Sequence, residues 1–493
     1  MKAFGRVALA CSAVILSGAA MAAPEDDLRE LRQQLKDLRE QYESRIQALE
    51  RRLEQVQSVR EASSPGAVAP GKAVANGNAA PNPAAVAGIT TTPSAEPGAG
   101  ENAFNPAVSL ILNGTYGILS RNPDPYPHAR DGYRINGFVP SQGEVNPPPR
   151  GGSLGESELA LSVNVDPNFR GTGFISLAPD DTLAVEEAYV TTLALPDGFT
   201  LKAGRFLAAA GYLNETHPHA WDFADAPLAN RVFLGGRFAD DGVQLRWVAP
   251  TDLYLDLGLD AGRGRAFPGG PGGGRNRNGF NAANVFAHLG GDIGTSSAWQ
   301  LGVSYLRTSP QDRAYDDLDA SSTLVTNTFS GKSGLWALSG VLKWAPNGNA
   351  FSQSAKVQGE YFQRREDGTL AYDTTNASRG TLIDFLRSRQ AGWYLQGVYQ
   401  FQPQWRVGYR YDRLDPGSMG IGLVASGSLA AADFPVLGGF RPSRHSVMTD
   451  WSPSEFSRVR LQVARDNSRA GMPDNQVQFQ YIMSLGAHGA HKF

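Results

Sequence analysis

ELALSVNVDPNFRGTGFISL, residues 158–177, carries the reading on which the fold depends. Leu159, Leu161, Val163 and Val165 share one parity, Asp166-Pro167-Asn168 interrupts it, and alternation resumes from Phe169 to Leu177. Successive side chains of a strand point to opposite faces, so two such runs bracketing a turn triplet predict a β-hairpin. VEEAYVTTLALPDGFTLKAGRF, residues 185–206, repeats the device around Pro196-Asp197-Gly198.

Extending the reading over residues 104–493 predicts about sixteen strands. Their connections alternate in length. Asp166-Pro167-Asn168, Pro196-Asp197-Gly198, Pro250-Thr251, residues 293–296, 346–353, Gln402-Pro403 and 452–455 are short. The joins at about 120–156, 207–241, 262–283, 308–333, 364–390 and 414–443 are mostly long. A soluble sandwich has no reason to keep this parity, whereas a transmembrane barrel has short periplasmic turns and long outer loops. The fold class expected is therefore all-β: a transmembrane antiparallel β-barrel of the outer membrane, surrounded by lipid. Closure satisfies every backbone group without exposing an edge to hydrocarbon.

Face chemistry agrees. Phe479, Tyr481, Met483 and Leu485 share the parity of Phe493, opposite Gln478, Gln480 and Ser484. These five form a candidate assembly signal for the barrel assembly machinery. Trp393, Leu395, Tyr399, Phe401, Trp405, Val407, Tyr409 and Tyr411 stand opposite Gln396, Arg406, Arg410 and Asp412, which predicts a polar lumen and an apolar outer face.

The segment before the barrel divides in three. Residues 1–22 read as a secretory signal: Lys2 and Arg6, the apolar run Val7–Leu16, then Ala20-Met21-Ala22 for cleavage. Lipidation at Cys11 is the lesser alternative. Residues 23–60 read as a periplasmic α-helical coiled coil, with Leu28, Leu31, Leu35, Leu38 and Tyr42 at steps of three and four. Arg45 occupies a skipped seam position before Ile46, Leu49, Leu53 and Val56, which marks a stutter. A homo-trimer joined through coiled coil and barrel is expected, with peptidoglycan contact as a further role for the helix. Residues 61–103, rich in Ala, Pro and Gly, read as a disordered linker.

Composition excludes several classes. Cys11 is the only cysteine and leaves with the signal, so neither disulfides nor thiolate metal ligands are expected. Loss of Lys2 and Arg6 leaves 43 cations against 48 acids, a formal charge of −5, too balanced for nucleic acid binding. No nucleophile elbow or zinc-helix motif is present, so an enzyme is not expected.

Two groups of residues are candidates for function. The third outer loop contains GYLNETHPHAWDF, residues 211–223, and Glu215, His217, His219, Asp222 and Asp225 are candidates for a pore constriction. An extended segment around Pro218 would place both imidazoles on one face, so His217, His219 and Asp222 are also candidate ligands for zinc, bound as ligand or as cargo. His128 of the first outer loop is a further candidate, while His488 and His491 belong to the other end of the barrel. No cofactor is required. Lys202, Arg246, Arg406, Arg410, Arg458 and Arg460 are candidate lumen charges, with Lys343, Glu187, Asp256, Glu360 and Asp412 in comparable places.

The order of parts resembles the phosphate-selective type of outer-membrane porin, with its N-terminal coiled coil and trimeric barrel. FNPAVSLILNGTY, SLGESELALSVNVDPNFRG, VEEAYVTTLALPDGFTLKAGRF, GYLNETHPHAWDFADAPLANRVFLGG and DDGVQLRWVAPTDLYLDLGLDAGRG are similar to a proteobacterial family often labelled zinc-regulated TonB-dependent outer-membrane receptor. That label implies metal uptake through a plugged barrel of about twenty-two strands. The residues themselves leave three functions open: a porin-like channel for small hydrophilic solutes or ions, a zinc or metal-complex receptor, and a tether between outer membrane and cell wall.

Overall fold

The computed structural model describes residues 107–141, 145–178, 182–270 and 278–486. The signal, coiled-coil and linker readings, together with His488, His491 and Phe493, lie outside the described residues. Among the described residues, eighteen strands form one antiparallel sheet. In chain order they are β1 (Ala107–Leu119), β2 (Gly151–Leu154), β3 (Ser157–Asp166), β4 (Phe169–Leu177), β5 (Leu183–Thr192), β6 (Phe199–Leu207), β7 (Ala239–Val248), β8 (Tyr254–Gly262) and β9 (Ala282–Ile293). They continue with β10 (Ser297–Thr308), β11 (Arg313–Leu318), β12 (Leu324–Trp344), β13 (Ser354–Tyr372), β14 (Leu382–Gln402), β15 (Trp405–Ile421), β16 (Ser443–Ser454), β17 (Ser457–Asn467) and β18 (Asp474–Gly486).

Two strands, β2 and β11, are short pieces within outer connections; the other sixteen close into a barrel. Closure runs from Ser109↔Gly486 to Leu119↔Gln476, pairing the first strand with the last. Sixteen strands differ from the twenty-two or so implied by the TonB-dependent label. Among the described residues no helix is long and apolar enough to cross a membrane.

The alternation expected along the wall is present. Phe479, Tyr481, Leu485, Leu395, Val407 and Tyr409 are exposed on the outer face, and Gln478, Gln480, Gln396 and Arg410 are buried within. Aromatic residues mark both edges of the outer apolar band. At the turn side Phe199 stacks on Trp247 with centroids 6.1 Å apart, and Trp405 stacks on Trp451 at 6.1 Å. Towards the loop side Tyr305 meets Trp336 at 4.7 Å and Trp393 meets Tyr411 at 5.5 Å. From Trp336 to Trp344 along β12 is roughly 26 Å at about 3.3 Å per residue. At a tilt of about 40° that projects to roughly 20 Å along the membrane normal, somewhat less than the apolar band of about 25 Å between aromatic girdles.

Two expectations need correction. The segments read as long outer loops at 308–333, 364–390 and 414–443 are partly strand, because β12 to β15 continue well past the aromatic girdle. Beyond the lipid neither face of a strand has to be apolar, so the alternation that marks a strand fades although pairing continues, as between Thr369↔Phe385 and Tyr372↔Leu382. The lumen is also not uniformly polar. Inward-facing Leu306, Leu335, Phe362 and Leu414 pack with Leu228, Val232 and Phe233, and nearer the loops Phe329, Leu370, Tyr372 and Leu386 pack with Leu423 and Phe434. Loop segments cover these side chains, so burying their apolar surface against protein is favourable although they face inward.

Candidate functional site

The third outer connection, residues 208–238, folds into the barrel. It opens on Gly211, whose φ of +90° is in the left-handed region and whose missing Cβ leaves room for Glu360 of β13, only 2.4 Å from where a Cβ would lie. The Glu360 carboxylate accepts the Tyr212 N–H at 2.6 Å, the Leu213 N–H at 3.3 Å and the Tyr394 hydroxyl at 2.6 Å. A buried acid that receives three donors anchors the backbone where the loop turns inward. The short helix Leu228–Leu234 then lays Leu228, Val232 and Phe233 on the apolar inner wall, and its N-terminal Leu228 N–H donates to Asp412 at 2.9 Å.

Between these anchors the loop's charged residues turn to different walls. Glu215 pairs with Arg246 of β7 at 2.9 Å. Asp222 pairs with Lys356 of β13 at 3.0 Å and Arg406 of β15 at 3.3 Å. Asp225 receives Arg231 of its own loop at 2.8 Å, Arg410 of β15 at 2.7 Å and Arg444 of β16. Arg458 donates to the carbonyl of His219, and Arg460 donates to the carbonyl of Trp221 at 3.0 Å while pairing with Asp450 at 2.7 Å. Lys202 of β6 lies 4.7 Å from the Tyr189 ring centroid. The candidate lumen charges thus face inward, and Arg246, Arg406, Arg410, Arg458 and Arg460 hold the loop directly. Buried ionic groups of this kind are costly to separate because each would be left unpaired in a low-dielectric interior.

His217 and His219 face the other way, towards β3 and β5. The His217 Nδ1 lies 2.6 Å from Glu158 Oε2 and 3.3 Å from Glu186 Oε2, and its Nε2 lies 2.8 Å from Glu187 Oε1. His219 Nδ1 lies 3.7 Å from Glu158 Oε2, with the two imidazole rings 5.7 Å apart. Pro218–Ala220 form a 3₁₀ turn rather than the extended segment expected. The proposed ligand set His217, His219 and Asp222 is therefore corrected: Asp222 is held by Lys356 and Arg406, and the carboxylates beside His217 come from β3 and β5. Cations capture an acid in preference to leaving it beside three like charges. His128 is exposed on the first outer loop and does not join this cluster. Glu158 escaped notice because it sits in an ordinary alternating strand, its one signal the inward parity beside Leu159; Glu186 escaped because it is the extra residue of a β-bulge, Phe174 pairing with Glu187 and Ile175 with Val185, which alternation does not announce.

Burial alone would pull the His217 imidazole down, but Glu158 and the neighbouring glutamates outweigh it and raise its pKa well above 6.5. Burial would likewise raise Asp222, but Lys356 and Arg406 dominate and pull it from 3.8 down to about 2. A depressed carboxylate stabilises the docked loop fully above its unfolded pKa and loses that contribution as pH falls through the docked one. Loop docking is thus expected to weaken between pH 3.8 and about 2. Limited proteolysis at 208–238 as a function of pH measures this, and an Asp222→Asn variant should lose that part of the dependence.

Beside the loop a cavity of about 460 Å³ remains, lined by Asn113, Thr115, Gln478 and Gln480 of the wall and by Glu156, Glu186, Arg231, Arg237 and Trp221. Arg237 spans its acidic side, 2.9 Å from Glu156 and 3.0 Å from Glu186.

No family model matches the chain. An uncharacterized protein of Aquifex aeolicus (strain VF5) is 30% identical over 423 residues, covering 80% of this chain and 81% of that one. The chain belongs to the same family as that protein. Among solved structures, the trimer form of OmpT, an outer membrane protein of Vibrio cholerae, is 9% identical with a TM-score of 0.46, covering 77% of this chain and 99% of that chain. The outer membrane channel DcaP of Acinetobacter baumannii is 11% identical with a TM-score of 0.46, covering 77% and 97%. OprB of Pseudomonas putida is 10% identical with a TM-score of 0.44, covering 77% and 94%.

Proposed function

We propose that this protein is an outer-membrane channel of narrow bore for small hydrophilic solutes or ions, with the third outer loop setting its constriction. One observation carries the reading: residues 208–238 are clamped within a sixteen-stranded, lipid-belted barrel and leave beside them a cavity in which amides and paired charges stand among small and apolar side chains. A static loop across a wide barrel converts a lumen into a selective passage. Because most wall arginines are neutralised by Asp222, Asp225, Asp412 or Asp450, weak ion selectivity is expected.

Planar-bilayer recording of the purified full-length protein tests this. Small, stable conductance steps with modest ion preference are expected. A barrel that inserts and conducts nothing would leave metal uptake through a gated loop, or a tethering role, as the reading. Assembly as a homo-trimer belongs to the proposal, and sedimentation of the detergent-solubilised protein measures it.

A further inference from the structure

We propose that Glu158, Glu186 and His217 form a binding site for one divalent transition-metal ion in the wall of the lumen. Ligand atoms of these three residues lie within 4.8 Å of one another. In a tetrahedral site with bonds of about 2.0–2.2 Å, ligand atoms stand roughly 3.4 Å apart. The His217 Nδ1 to Glu186 distance of 3.3 Å already has that value. Glu158 meets it by a small opening of its 2.6 Å approach.

The arrangement of donors and acceptors points to a cation. Glu187 accepts the Leu207 N–H at 2.9 Å through one oxygen and faces His217 Nε2 at 2.8 Å through the other. A carboxylate so placed fixes the imidazole with its proton on Nε2, as outer carboxylates do for metal-bound histidines. Nδ1 is then the atom directed at Glu158 and Glu186: a proton occupies it in the ion-free protein, and a metal ion that displaces this proton meets the lone pair. Glu158 is only 1% exposed, and its Oε2 faces the His217 and His219 imidazoles at 2.6 and 3.7 Å. Converging carboxylates are unfavourable in a low-dielectric interior unless positive charge, whether the proton on His217 or a metal ion in its place, stands between them.

Charge makes the same point. Glu156, Glu158, Glu186 and Glu187 bring four carboxylates together, and Arg237 compensates Glu156 and Glu186 in part. The Phe174 ring lies 4.5 Å from the His217 ring and closes one side with an apolar surface. One nitrogen and carboxylate oxygens without sulfur suit Zn²⁺ or Mn²⁺ and not a thiophilic ion. Glu186 and Pro218 also line the 460 Å³ cavity, so an ion reaches the site from the lumen. Binding itself is independent of the channel reading; only an effect of the ion on conductance rests on it.

The test is titration of the chelator-stripped, full-length protein with ZnCl₂ by calorimetry, in a His488→Ala/His491→Ala background so that the terminal histidines do not contribute. One ion per chain is expected. Glu158→Gln should weaken binding by at least about 100-fold, and Glu187→Gln by about 10–100-fold, the usual effect of an outer-shell partner. Heat-modifiable migration checks that each variant folds. X-ray absorption of the zinc-loaded parent gives a second readout that requires no variant, and one imidazole with oxygen ligands is expected. No binding by the folded parent, binding unaffected by Glu158→Gln, or a ligand shell without imidazole overturns the site. Stoichiometric binding by a barrel that does not conduct would leave the site standing and remove the channel.

Discussion

Replacing Asp225 with alanine should release the third loop from the lumen and raise single-channel conductance while the barrel stays folded. The Asp225 carboxylate meets Arg231 at 2.8 Å, Arg410 at 2.7 Å and Arg444, and accepts the Gln462 amide at 3.1 Å. All three guanidinium groups are buried. Removing one partner of a buried ion pair costs about 3–5 kcal/mol because the survivors remain desolvated without a counter-charge. Here the arginines regain water most readily if the loop moves away from β15 and β16. The sheet itself is held by ladder hydrogen bonds that do not involve Asp225, so heat-modifiable migration should persist. Bilayer recordings should show larger and noisier steps than the parent, and residues 208–238 should become protease-sensitive. Unchanged conductance and unchanged proteolysis would mean that Glu360 and the apolar helix Leu228–Leu234 hold the loop without this clamp.

The second large effect belongs to the outer face. Leu395 is 51% exposed and sits between the aromatic levels of Trp393 and Phe401 on β14. Arginine introduced here, between the girdle and the midplane, is expected to destabilise the folded barrel by about 1–3 kcal/mol, since the guanidinium has no partner in hydrocarbon. Its neighbour Gln396 points inward and donates to Asp222 at 3.3 Å, so the two positions respond to opposite rules although they are adjacent in the chain. Guanidinium denaturation of the protein in lipid vesicles measures the difference for Leu395→Arg. An unshifted midpoint would place Leu395 against protein or water rather than lipid.

How much was legible in advance differs between wall and site. Strand number, the outward parity of residues such as Leu395 and Tyr409, and the short turns at 166–168 and 196–198 follow from period-two alternation and turn chemistry. Both are local properties of a few adjacent residues. The strand extensions in β13 and β14 escaped because alternation loses its apolar signal above the lipid. The inward apolar residues Phe362 and Leu414 escaped because nothing local announces that loop helix 228–234 will cover them.

For the candidate site, sequence alone determined that two histidines and several acids share the third outer loop, and that arginines of later strands face inward. Only the tertiary structure decided which of these meet. Glu158 and Glu186 reach His217 across a separation that alternation does not encode, and Asp225 reaches Arg444 only because the barrel closes and the loop enters it. A strand's face is set by its own backbone geometry. The partner of a buried charge is set by the path of the chain and the cost of leaving any ion unpaired, which is a property of the whole closed barrel.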